Sequence, residues 1–166
     1  AIHADGPSIL EEIGNYFRLK PGSLGPPKLY LGGKVSRIKL PNDVWAYAFS
    51  ATQYVKEAVH NVESYLKTMD YKFSSKAQHT PIPTSYHPEL DSTPELNDKE
   101  TKYYQSLIGI LRWIVELGRL DINFETSIMS SHCMMPRVGH LMHVINIFRY
   151  LKHHANARLI FDPTYP

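Results

Sequence analysis

The sequence predicts an α+β fold, mostly helical, in which one β-hairpin interrupts a series of helices. Three observations carry this. Apolar residues recur at spacings of three and four in several long stretches, the period of a helix with one buried face. Strict alternation is confined to residues 29–49, where "KLYLGGKVSRIKL" and "VWAYAF" flank the turn signal "PND". Apolar residues make up 43% of the 166, enough for a core, and the length suits one domain or two small ones.

Ser8 and Glu11 match the reciprocal capping box that opens a helix, and Ile9, Ile13 and Phe17 follow on one face. That helix ends before "KPGSLGPP", where Pro21, Gly22, Gly25, Pro26 and Pro27 impose a loop. Gly32 and Gly33 then interrupt the first strand of the hairpin. Glycines beside a strand mark a bulge, or a backbone that something must approach closely. Ser50 and Gln53 form a second capping box, and Val55, Ala58, Val59, Val62 and Leu66 carry a helical stripe to about Asp70.

Periodicity then vanishes over residues 71–97, which hold Pro81, Pro83, Pro88 and Pro94 with Glu89, Asp91 and Glu95. A solvated acidic connector and a subdomain boundary are expected there. Asp98 is placed to cap a helix with the face Tyr104, Leu107, Ile108, Leu111 and Val115, stopped by Gly118. Asp121 is expected to cap a shorter helix carrying Phe124 and Ile128. Pro136 suits the first turn of a last helix with Leu141, Val144, Ile145, Phe148 and Leu151 on its face. "RLIFDP" reads as a closing strand without a partner.

Net charge is +2, so the total gives little support for nucleic acid, and distribution matters more. Residues 1–49 carry six Lys/Arg against four acids, residues 50–133 eight against eleven, and residues 134–166 four against one. Cys133 is the single cysteine, which rules out an intrachain disulfide and is compatible with a reducing compartment. No apolar run reaches membrane-spanning length.

No phosphate-cradling glycine loop and no zinc quartet is present. Asp5 is an isolated acid, whereas a two-metal site needs at least two converging carboxylates. His140 and His143 lack a carboxylate or cysteine at matching spacing and read as ordinary surface or core-edge histidines. Cys133, beside His132, reads as an inert buried thiol. His153 and His154 complement the dipole at a helix end.

The basic residues are more informative. Lys20, Lys28, Lys34, Arg37 and Lys39 cluster around the hairpin with Tyr30, Trp45 and Tyr47 interleaved. Lysines position a nucleic-acid backbone and aromatics offer stacking surfaces. The plainer reading of the same residues is a solvated hairpin whose aromatics pack inward. Lys56, His60 and Lys67 share one helix face over three turns, which could track phosphates or simply be wet; Glu57 and Glu63 count against the first.

Four stretches then stand in a telling order over nearly the whole chain: "SILEEIGNYFRLKPG", "YLGGKV", "YYQSLIGILRWIVELGRLDI" and "GHLMHVINIFRYLKHHANARLIFDP". Together they resemble the C-terminal part of the reverse transcriptase in the Pol polyprotein of copia-type LTR retrotransposons. The resemblance implies the end of a ferredoxin-like palm with its primer-grip hairpin over residues 1–49. It implies a thumb helix and Pro-rich loop over 50–97, and a helical thumb and connection region leading toward ribonuclease H over 98–166. The parent activity would be RNA-directed DNA polymerisation, in a cytoplasmic particle or the nucleus.

Nucleic-acid contacts are then expected from Lys20, Lys28, Tyr30, Leu31, Gly32, Gly33, Lys34, Lys56, His60 and Lys67. The partner would be an RNA–DNA or DNA template–primer duplex, beside the missing palm, fingers and ribonuclease H regions, with no membrane. The sequence departs from the family where the catalytic "Y-V-D-D" turn should stand, just upstream of Ala1; "AIHADG" reads as the strand leaving that turn. The chain is thus expected to be a fragment with no catalytic residue and no metal ligand, inactive alone, the Mg²⁺ belonging to the intact polymerase. "ELGRLDI" also departs from the family's arginine–proline–aspartate ending, so no role is carried to Arg119 or Asp121. The alternative is a non-catalytic binding or self-assembling module of retroelement origin.

Overall fold

The computed structural model describes residues 6–18, 20–21, 25, 28–68, 73 and 78–164. Ala1–Asp5, Gly22, Pro26, Pro27 and the expected helix end near Asp70 lie outside them. The architecture is α+β, with five helices and a four-stranded antiparallel sheet. The helices are α1 (Gly6–Tyr16), α2 (Thr52–Thr68), α3 (Asp98–Glu116), α4 (Asn123–Ser130) and α5 (Val138–His153). The strands are β1 (Leu29–Tyr30), β2 (Gly33–Lys39), β3 (Trp45–Ser50) and β4 (Leu159–Phe161), in the order β1-β2-β3-β4.

One core holds the molecule together. Val55, Val59, Val62 and Leu66 of α2 meet Tyr104, Leu107, Leu111 and Ile114 of α3, Met129 of α4 and Val144, Ile147, Phe148 and Leu151 of α5 in a single cluster. Stripes at helical spacing make this possible, because each helix removes one face from water. Tyr104 is buried whole and its hydroxyl donates to the Met129 carbonyl at 2.6 Å, which satisfies the polar end of an otherwise apolar side chain.

The hairpin turn at Pro41–Asp43 forms as expected, with the Leu40 N–H donating to the Val44 carbonyl at 2.8 Å and Asp43 at φ 64°. Gly118, at φ 91°, ends the α3 segment as expected. Several expectations need correction. Asn97, not Asp98, caps α3: its side chain accepts from the Glu100 N–H at 3.0 Å and Glu100 returns the bond at 3.1 Å. Ile114 is the buried member of the last turn, and Val115 only borders the core. Ser8 lies inside α1 rather than at its start, and Ile9, Ile13 and Phe17 are exposed. The Ser50–Gln53 box does not form; Gln53 donates to Glu57 at 2.6 Å instead.

Asp121 does not cap α4. It accepts two bonds from the buried Arg119, at 2.9 and 2.7 Å, and a third from the Tyr150 hydroxyl at 3.0 Å. Burial opposes the charge on Asp121, and the Arg119 guanidinium overrides this and holds its carboxyl below the usual range. Phe124 is exposed, while Thr126 and Met129 are the buried residues of α4. Pro136 precedes α5 by two residues rather than sitting in its first turn.

The closing strand has a partner: Leu159, Ile160 and Phe161 pair with Phe49, Ala48 and Tyr47. The Pro-rich segment is likewise no solvated connector where it is described. Pro81 and Pro88 are buried, and Ile82, Tyr86 and Leu96 pack against the core. Arg137 donates to the Thr93 carbonyl at 2.7 Å, and the Gly139 N–H donates to the Thr93 hydroxyl at 2.8 Å, fastening the segment to the start of α5. Asp91 accepts from Tyr86 and Thr93 at 2.6 and 2.5 Å. Burial would raise its carboxyl, but those bonds, with His140 nearby, bring it down to about 2.

Candidate nucleic-acid interface

The glycine pair is a hairpin turn, not a bulge. Leu29 pairs with Lys34 and Tyr30 with Gly33, leaving Leu31 and Gly32 as a two-residue loop. Both have positive φ, 48° and 91°, as in the type I′ turn whose twist matches antiparallel strands. Gly32 is suited to that conformation. Leu31 is not, since a side chain in the left-handed region costs about 1–2 kcal/mol. Gly33 has another reason to be glycine: a Cβ there would overlap the Phe49 ring. The close approach that the sequence signals at Gly33 is therefore made by the protein's own β3, while a Cβ at Gly32 would meet open space.

Beside this turn lies an open groove of about 760 Å³. Lys28, Leu29, Gly32 and Lys34 line it from the turn, and Thr52, Gln53 and Glu57 from the first turns of α2. The wall forms because β3 runs into α2 with Ala51 between them, and Ala51 is buried in the core. Ser50 closes the junction by accepting the Thr52 N–H at 3.3 Å. Lys28 and Lys34 have no ion pair among the described residues, while Glu57, the acid in the groove, accepts from Gln53.

The expected contact residues fall into three sets. Lys28, Gly32 and Lys34 line the groove, while Tyr30 and Leu31 are exposed in the same hairpin and do not line it. Gly33 is buried under Phe49 and faces no ligand-sized space. Lys56, His60 and Lys67 are exposed along α2, spread over about 16 Å at 1.5 Å per residue. Glu63, which weighed against that face, is engaged by Lys152 of α5 at 2.5 Å. Lys20 is exposed and does not line the groove.

Trp45 and Tyr47 do not pack inward, nor do they line the groove; they stand exposed on the sheet. Thr52, Gln53 and Tyr54 as groove residues went unread, because strand-to-helix juxtaposition leaves no mark in local spacing. Phe161 went unread because its strand had no visible partner.

His140 and His143 lie on α5. His140 accepts the Arg137 N–H at Nδ1, which leaves Nε2–H to donate to the Pro88 carbonyl, both at 3.0 Å. His143 stacks on Tyr86 with ring centroids 3.4 Å apart. Burial pushes the His132 and His143 imidazoles below their usual value. Cys133 is half-buried and its thiol is pushed up by burial. Among the described residues no group of three or more His, Cys, Asp or Glu is placed to hold a metal ion, and no helix is long and apolar enough to cross a membrane. Asp91 and Asp121 are each engaged by three hydrogen bonds, and Asp5 lies outside the described residues. No family model matches the chain, and neither a curated protein nor a solved structure matches it.

Proposed function

We propose that the chain grips a template–primer duplex as the palm-end, thumb and connection part of a copia-type reverse transcriptase, working inside the cell. On this reading the β1–β2 turn is the primer grip, α2 opens the thumb, and α3–α5 with β4 lead toward the ribonuclease H region. The observation that supports it is the groove. Lys28, Gly32 and Lys34, separated in sequence from α2 by most of β2 and all of β3, come together with its first turns, and Lys56, His60 and Lys67 continue along its exposed side. Two ammonium groups without an ion pair among the described residues suit phosphate oxygens, and their contacts would release counterions. Polymerisation itself would depend on the catalytic carboxylates and Mg²⁺ of the intact enzyme.

Fluorescence anisotropy with a labelled RNA–DNA hybrid, taken across a salt series, tests this. Affinity should fall steeply with salt. The double variant Lys28→Ala/Lys34→Ala should reduce the magnitude of the log–log slope by about 2, since each phosphate contact contributes about 0.9. Salt-independent binding, or an unchanged slope in the double variant, would falsify the grip.

A second reading, self-assembly without enzymatic work, is favoured by α1. Its residues Ile9, Leu10, Ile13 and Tyr16, and Phe17 just beyond its end, are all exposed, and such a stripe promotes association. Light scattering distinguishes the two: a monomer across micromolar concentrations removes this reading.

A further inference from the structure

Beyond the groove, the sheet carries a second arrangement of side chains. Arg37, Tyr47 and Phe161 lie directly opposite one another on β2, β3 and β4, and therefore project from one face. Trp45, two residues before Tyr47, stands on that same face, opposite Lys39. The next row on this face, Val35, Phe49 and Leu159, is closed off where Phe49 and Leu159 approach Gly118 at the end of α3. Past that row the face is open: Trp45 is 51% exposed, Tyr47 39% and Phe161 56%. On the opposite face Ala46 and Ala48 are buried. The strand thus buries the small residues Ala46 and Ala48 and leaves the rings of Trp45 and Tyr47 toward water, the reverse of what burial of apolar area favours.

We propose that this open face, built from Trp45, Tyr47 and Phe161 around Arg37, is a stacking platform for the unpaired bases of a single-stranded nucleic acid. Exposed rings on neighbouring strands with a guanidinium among them offer π-faces to any base and a cation to the phosphates between bases. The Arg37 guanidinium carbon sits 4.8 Å from the centre of the Trp45 ring, so cation and ring form one surface. The acids that border the face are already engaged. Asp43 pairs with Lys39 at 2.7 Å, and Asp162 accepts the Thr164 N–H and hydroxyl at 2.9 and 2.6 Å. Arg37 is left as the charge without an opposing carboxylate among the described residues, and it favours a polyanion. A second copy fits less well, because an isologous contact would press Arg37 and Lys39 against the same charges of its mate.

The platform does not rest on the duplex grip, since none of its four residues lines the groove. A labelled short oligothymidylate and an abasic oligonucleotide of the same length, titrated with the full chain, separate base stacking from phosphate attraction. The oligothymidylate should bind at least about tenfold tighter than the abasic strand, and Trp45→Ala or Tyr47→Ala should each remove about tenfold of its affinity while leaving abasic binding unchanged. Trp45→Phe should retain most of the affinity. Lys28→Ala/Lys34→Ala should leave the ratio between the two strands as it was, so failure of the groove and failure of the platform read differently. Unchanged thermal midpoints certify that the variants fold. Equal binding of the two strands overturns the proposal. So does the absence of binding, an unaltered oligothymidylate affinity in Trp45→Ala, or a dimer that Trp45→Ala dissociates without changing that affinity.

Discussion

Phe148 on α5 and Trp45 on β3 are both large aromatic residues, and they meet opposite fates. Phe148 is fully buried among side chains from α2, α3 and α4, whereas Trp45 stands half in water on the sheet. The core of α2–α5 buries large apolar side chains against one another, and it closes some of its polar groups, as in Tyr104 to Met129 and Arg119 to Asp121. The sheet buries Ala46 and Ala48 and leaves Trp45, Tyr47 and Phe161 outside. Large buried side chains are thus concentrated in the helices, and exposed rings on β3 and β4.

The sharpest way to break that contrast is Phe148→Ala, which should destabilise the protein by about 3–5 kcal/mol, the cost of a large cavity in a packed core; urea denaturation measures it. A loss under 1 kcal/mol would mean that the core collapses around the gap and that the two regions differ less than their packing implies.

Gly33→Ala should cost about 1–3 kcal/mol, because the new methyl meets the Phe49 ring and the strand must shift. Combining it with Phe49→Ala should recover part of that loss, which a double-mutant cycle reads as coupling. Additive losses would show that the glycine is needed for something other than Phe49.

Acid should act on the helical region next. His132 and His143 have depressed imidazole values in the folded chain, below the usual 6.5. The unfolded chain therefore takes up protons that the fold resists, and stability present above about pH 6.5 falls as the pH drops below it. Asp91 adds a second loss between 3.8 and about 2, where its carboxylate must be protonated. His143→Phe, which keeps a ring against Tyr86, should flatten the dependence between pH 7.5 and 5.5. An unchanged slope would place the acid sensitivity elsewhere.

The smallest effect on stability belongs to Trp45→Ala. A change within about 0.5 kcal/mol is expected despite the size of the side chain, as for surface residues in general. Thermal unfolding checks it, and a loss of several kcal/mol would show that the ring is structural after all.

The helix stripes of residues 52–68, 98–116 and 138–153, the turn at Pro41–Asp43 and the stop at Gly118 were legible in the sequence, because each depends on residues within a turn or two of one another. So were Lys28, Gly32 and Lys34 as a group. Tertiary structure decided the rest. An apolar stripe states that a face can be buried and not that a partner will meet it: the stripe of α2 is in the core and that of α1 is in water. A three-residue strand states nothing about pairing, and β4 found β3 more than a hundred residues earlier in the chain. Alternation along β3 shows that the strand has two faces, but only the folded chain shows that Ala46 and Ala48 are buried and Trp45 and Tyr47 exposed. By itself the sequence determined the elements and their turns, because hydrogen bonding and side-chain period are local. Contact between elements is not local, and only the folded chain could bring a glycine turn beside the start of α2, or place three aromatic residues and an arginine on one open face.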